Sequence, residues 1–113
     1  MLQVVDLQKS ENFQALGVEL LSIAPDPVES WRDDGEQYGI RDFGNVLSDE
    51  DNRVANRYDV MRWQAPTGEP GHTFVLVDES GTVTWVRDFG APDNGGLMYV
   101  VPDQLIQELM DHL

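Results

Sequence analysis

Few residues of this chain are able to do covalent or acid–base chemistry. The 113 residues include no cysteine. A thiolate nucleophile, a disulfide, an iron–sulfur cluster and a cysteine zinc site are therefore outside the reach of this sequence. The two histidines are His72 and His112. His72 follows the turn Glu69-Pro70-Gly71 and opens an apolar run, where an imidazole can donate to a ligand or act as a base. No second histidine or carboxylate accompanies it in sequence, and a structural or solvated role is the more common fate of such a residue. His112 falls at the end of a C-terminal helix, where it complements the helix dipole. Asp49-Glu50-Asp51 brings carboxylates together, but without the glycine and distal glutamate of a calcium loop. A capped helix start with a solvated acidic first turn accounts for them. The serines lack any His/Asp pattern that would mark a nucleophile. Trp31, Trp63 and Trp85 read as core or half-buried covers, and Trp63, in a loop near Pro66, is placed to line a pocket or an interface.

Composition sets the frame for these residues. At 41% hydrophobic and 25% charged, residues 1–113 read as one globular domain with a single core. No apolar run approaches the roughly 18 residues of a membrane helix. Asp6 and Glu11 stand where a secretory signal would be basic, so a cytoplasmic location is expected. Acidic residues number 21 against 7 basic ones, for a formal charge of −14. No basic patch can be assembled to release phosphate counterions, which argues against nucleic-acid binding. Lys9 is the only lysine. An ordinary acidic surface and adaptation to high salt both explain this balance.

The element that organises the chain is the stretch His72 to Gly90. Thr73 to Val77 and Thr82 to Val86 are β-rich runs joined by Asp78-Glu79-Ser80-Gly81, which predicts an antiparallel hairpin. The first run is apolar on both faces, the pattern of a strand covered on both sides. Upstream, Leu2 to Leu16 reads as one helix with Leu2, Val5, Phe13 and Leu16 on its apolar side, closed by Gly17. Val18 to Ala24 reads as a buried strand. Asp26 is a candidate N-cap for a helix Pro27 to Tyr38 that turns Val28, Trp31 and Tyr38 inward and ends at Gly39. Asn45 to Leu47 is a second strand, which makes a βαβ unit with a parallel pair. Ser48 or Asp49 caps a helix to about Tyr58, with Val54, Ala55 and Tyr58 buried. Met61 to Gly71 and Gly90 to Gly96 are loops. Pro102 to Leu113 is a closing helix with Leu105, Ile106, Leu109 and Leu113 as its stripe. The order predicts an α/β fold, a mixed sheet between helices.

Taken in order, these pieces resemble much of a thioredoxin-fold peroxiredoxin of the alkyl hydroperoxide reductase and thiol-specific antioxidant type. The resemblance rests on the helix, Gly17-Val18 step and strand of residues 2–24. It also rests on Asp26 to Trp31, on Tyr38-Gly39-Ile40 with Leu47-Ser48-Asp49, and on Val54-Ala55 with Tyr58-Asp59-Val60, where Asp59 replaces the family's glycine. Thr73 to Asp78 followed by Gly81 completes it. The resemblance implies a thioredoxin-like mixed sheet flanked by helices, here without its first strand or strands. In the family the peroxide-attacking cysteine follows that missing strand, so the strand and cysteine would lie upstream of these residues. At the family's active-site arginine stands Gly71, and near the cis-proline of thioredoxins stands Pro70. The implied pocket is Pro70, Gly71, His72, Thr73 and Trp63, with no catalytic residue, metal or cofactor assigned.

Two functions of different class follow. One is the scaffold of a peroxiredoxin-like antioxidant oxidoreductase, inactive as a thiol peroxidase without its cysteine-bearing segment and served by a thiol reductant once that segment is present. The other is a cysteine-free, non-catalytic binding or assembly module, expected to be a homodimer. The missing strand would leave the strands at Val18–Ala24 and Phe74–Val77 with open edges. They would pair directly, exchange segments in a dimer, or take up an upstream strand that completes the sheet.

Overall fold

Ser10 divides the first expected helix in two. In the computed structural model, which describes residues 2–40 and 44–113, α1 spans Leu2–Lys9 and α2 spans Glu11–Gln14. Ser10 holds extended backbone angles, and its hydroxyl accepts the Phe13 N–H at 3.1 Å, as an N-cap does. The break lets Val4, Val5 and Leu7 bury on α1 while Phe13 buries from α2, and it leaves Leu2 exposed.

The expected strand at residues 18–24 narrows to β1, Ser22–Ala24, because β2, Val46–Ser48, offers only three residues to pair with it. The pair is parallel, with Ser22 opposite Val46 and Ala24 opposite Ser48, and α3, Val28–Tyr38, connects them. Pro27 is the N-cap of α3 in place of the predicted Asp26. Its carbonyl accepts the Ser30 and Trp31 N–H groups, and no side chain caps this end. Trp31 is buried with Val4, Val5, Ile40 and Val46, whereas Tyr38 points outward, against expectation.

The N-cap of helix α4, Arg53–Arg57, is Asn52 and not the predicted Ser48 or Asp49, because the chain turns through a left-handed residue there; Asp49 holds the helix start through its side chain instead. The buried Asp49 carboxylate accepts the N–H groups of Val54 at 3.1 Å and Ala55 at 3.0 Å. Of the face expected to bury, only Ala55 does so, while Tyr58 is exposed. Asp59 adopts the left-handed conformation with φ 58°, a region that aspartate tolerates better than most residues.

The hairpin forms as expected. Strands β3, Thr73–Val77, and β4, Val83–Asp88, pair antiparallel with an irregularity at Leu76/Val77. The Asp78 carboxylate accepts the Ser80 and Thr82 N–H groups and the Ser80 hydroxyl, and these bonds, the hydroxyl's foremost, hold its pKa below the usual value. Helix α5, Pro102–Met110, buries Leu105 and Leu109 and leaves Leu113, beyond its end, exposed. Leu7, Phe13, Leu76, Phe89, Val100, Leu105 and Leu109 form the main core.

The α/β architecture holds, but the sheet is divided. β1–β2 and β3–β4 are separate two-stranded sheets, so β1 and β3 do not pair directly. β3 is accordingly not covered on all sides: Leu76 is buried, while Val77 is 40% exposed.

Candidate functional site

Between the two sheets lies a cleft of about 1040 Å³, bordered by residues 18–21 and Ile23 on one side and by β3 on the other. Hydrogen bonding explains why both borders remain open. Toward β2, the β1 ladder uses the Ser22 N–H, given to Asn45, and the Ala24 carbonyl, which accepts from Asp49. Backbone groups alternate in direction along a strand, so those of Ile23 face away from β2. On β3, the His72 carbonyl accepts from Phe89 and the ladder continues through Phe74 and Leu76. The main-chain groups of Thr73 and Val75 therefore face away from β4. Phe13 of α2, Leu109 of α5 and Leu113 close one part of the cleft, and Val54 and Ala55 of α4, with Tyr58 just beyond its end, close another. Its wall is apolar and its charged lining is acidic: Glu19, Asp78 and Glu79.

The residues of the expected pocket separate. Pro70, Gly71 and Thr73 line the cleft; His72 and Trp63 do not. His72 reaches α1, with Nε2 3.0 Å from Gln3 Oε1. The buried Gln3 amide also donates to the Val100 carbonyl at 2.9 Å and accepts the Val100 N–H at 2.7 Å. Val100 thus fixes the orientation of the amide, and His72 Nε2 must be the donor to Gln3. Burial lowers the His72 pKa, with a smaller opposing influence from Asp88. The imidazole is therefore neutral at pH 7 and serves as a strut between β3 and α1, its ring edge-on to Phe74. The Trp63 ring is covered by the Arg62 guanidinium at 4.1 Å. His112 packs against Trp85 at 6.0 Å, and both line the cleft. Among the described residues no group of three His, Cys, Asp or Glu is placed to hold a metal ion.

Asp88 is the polar centre that the sequence did not disclose. It is 3% exposed, and its carboxylate accepts the Thr73 hydroxyl at 2.8 Å, the Ala91 N–H at 2.9 Å and the Asn94 amide at 2.9 Å. Burial alone would raise its pKa; the bonds from Asn94, Ala91, Thr73 and Gly90 outweigh burial and hold it below the ordinary carboxylate value. Asp88 thereby fixes the 88–96 loop to the β3 residue that borders the cleft. Its one sequence signal was an aspartate closing an alternating strand just before a Gly/Pro/Asn loop, a pattern that marks many surface turns as well.

Gly71 is required for a different reason. A Cβ there would lie 2.5 Å from the Trp63 carbonyl oxygen and 3.4 Å from Asp88 Oδ1. Gly71→Ala is expected to cost about 1–3 kcal/mol, read as a lowered urea midpoint. An unchanged midpoint would show that the 61–71 loop is free to move away from β3.

The AhpC/TSA family model matches residues 2–86, and the matched stretch contains both borders of the cleft. The chain belongs to the AhpC/TSA family. A protein named Peroxiredoxin 2, from Thermoplasma acidophilum, is 32% identical over 83 residues, which cover 70% of this chain and 41% of that protein. The chain thus spans about two-fifths of the length of the curated relative it matches. No solved structure matches it. The AhpC/TSA hairpin and parallel pair are present here as separate sheets, and the AhpC/TSA stretch carries no cysteine. No helix among the described residues is long and apolar enough to cross a membrane.

Proposed function

We propose that these residues are the scaffold of a peroxiredoxin-like antioxidant protein, with the peroxide-reactive cysteine carried on a polypeptide segment outside them. The observation that carries this reading is a chain of the AhpC/TSA family that has no cysteine while an open cleft parts its two sheets. Without a cysteine the chain has no thiolate to attack a hydroperoxide and be regenerated by a thiol reductant. The scaffold supplies an apolar wall, a neutral His72 held by Gln3, and a loop fixed by Asp88. The resemblance further implies a hydroperoxide or disulfide substrate and a thiol reductant as partner for the complete assembly.

The 113-residue chain, assayed with hydrogen peroxide and excess dithiothreitol, is expected to consume peroxide no faster than the thiol alone. Saturable turnover would overturn this reading. A second reading, a non-catalytic binding module, is favoured by the cleft itself, whose open strand edges can pair with another polypeptide. The intact mass of the protein isolated from its native cells separates the two. A mass well above that of 113 residues, with a cysteine in the additional sequence, supports the first reading, and a mass equal to it supports the second.

A further inference from the structure

The loop that Asp88 fixes carries a chemistry of its own, in the pair Asn94-Gly95. Asn94 is followed by glycine, whereas Asn12, Asn45, Asn52 and Asn56 precede Phe, Val, Arg and Arg. With no Cβ on the following residue, the Gly95 nitrogen has an open approach to the Asn94 side-chain amide carbon. Gly95 and Gly96 are both exposed and hold positive φ angles of 117° and 65°, so water reaches this side of the loop. The Gly95 N–H has a long bond, 3.4 Å, to the Pro92 carbonyl, beyond the usual range for such a donor. The restraint on the pair comes from Asp88. Its Oδ2 accepts the Asn94 amide and the Ala91 N–H, both at 2.9 Å, while Oδ1 accepts the Thr73 hydroxyl at 2.8 Å. The Asn94 side chain is thus held against a buried carboxylate by the very group that deamidation removes.

We propose that Asn94 is a modification site, converted to aspartate or isoaspartate through Gly95, and that the conversion releases the 91–96 loop from β3. The Gly95 nitrogen, having given its proton to hydroxide, bonds to Asn94 Cγ and closes a succinimide ring. The Cγ–Nδ2 bond breaks, and the amide nitrogen takes a proton from water and leaves as ammonia, which regenerates the hydroxide. Water then opens the ring at either carbonyl, giving aspartate in the original main chain or isoaspartate with the main chain running through Cγ. A water is consumed and ammonia released, with no oxidant, reductant or cofactor. While the loop is closed, Asp88 holds the amide, so attack requires a local opening. Return is then blocked. A carboxylate in place of the amide meets Asp88 with no proton to share, and like charges at that distance in a buried site repel. Asp88 thereby changes from the group that closes the loop to the group that keeps it open. This inference stands on the loop alone and draws nothing from the proposed scaffold function.

The test ages the 113-residue chain at neutral pH, folded and in urea, while peptide mass spectrometry follows each asparagine. Asn94 is expected to convert ahead of the other asparagines in urea, and about tenfold or more slowly in the folded chain, because opening precedes attack. Hydrogen exchange at the Ala91 amide reads the state of the loop. The variants N94A and N94D separate loss of the bond from gain of the charge, since both lack the amide donor and N94D alone adds a carboxylate. Ala91 is expected to exchange about tenfold faster in N94D than in N94A, and converted native chains are expected to match N94D. Where N94D does not fold, the converted fraction of the native protein gives the same comparison with N94A. Asn94 left intact while another asparagine converts, equal rates in the folded and unfolded chain, or Ala91 exchange in the charged form no faster than in N94A would each overturn the inference.

Discussion

Replacing Asp88 with alanine is expected to destabilise the fold by about 3 kcal/mol or more at pH 7. The substitution leaves the Ala91 N–H, the Asn94 amide and the Thr73 hydroxyl without their acceptor, and hydrogen bonds to a charged group contribute about 1.5–3 kcal/mol each, not additively. Asp88→Asn keeps one acceptor oxygen and loses the charge, so a smaller effect is expected, of about half that size. The pH dependence identifies the mechanism. Asp88 has a lowered pKa in the folded protein, whereas in the unfolded chain it titrates near its ordinary value of about 3.9. The stabilisation is therefore complete above the unfolded pKa and is lost as the pH falls through it and on through the lower folded pKa. Urea unfolding of the native protein and of Asp88→Asn between pH 7 and pH 2.5 checks this. The gap between them should be constant from pH 7 to about 5 and shrink below about 4. A gap independent of pH would mean that the shape of the side chain, not its charge, holds the 88–96 loop.

The contrast between Asp88 and Asp78 shows what was legible in the sequence. Asp78 acts within its own turn, through Ser80 and Thr82, so a polar four-residue break between two β-rich runs was enough to predict the hairpin. The parallel pair was legible for the same reason, since a helix between two short apolar runs permits few topologies. Asp88 and Gln3 act across distance: Gln3 bonds to Val100 and His72, and nothing in Leu2-Gln3-Val4-Val5 indicates that its single polar residue would be buried. His72 could be singled out as unusual, but its partner lies 69 positions away. The division at Ser10 was missed because apolar spacing alone runs through it, and only the hydroxyl's bond to Phe13 reveals the cap. The open strand edges were foreseen as a consequence of family resemblance. Direct pairing of the two was one of three possibilities, and the separation of the sheets removes it.

Phe89→Ala is expected to have the largest effect of any core substitution, a loss of about 3–5 kcal/mol. Phe89 is fully buried, packs edge-on against Phe74 at 5.8 Å and carries the Arg87 guanidinium over its ring at 4.6 Å. It also does not line the cleft, so truncation opens an enclosed cavity and adds a cavity cost to the lost transfer energy. Phe13 belongs to the same core but does line the cleft. Its truncation enlarges a space already open to solvent, so Phe13→Ala is expected to cost less than Phe89→Ala by about 1 kcal/mol or more. Equilibrium urea unfolding of both variants decides the matter. Equal costs in the free protein would mean that the cleft is closed in solution, and that the β1 and β3 edges are not available to a partner strand.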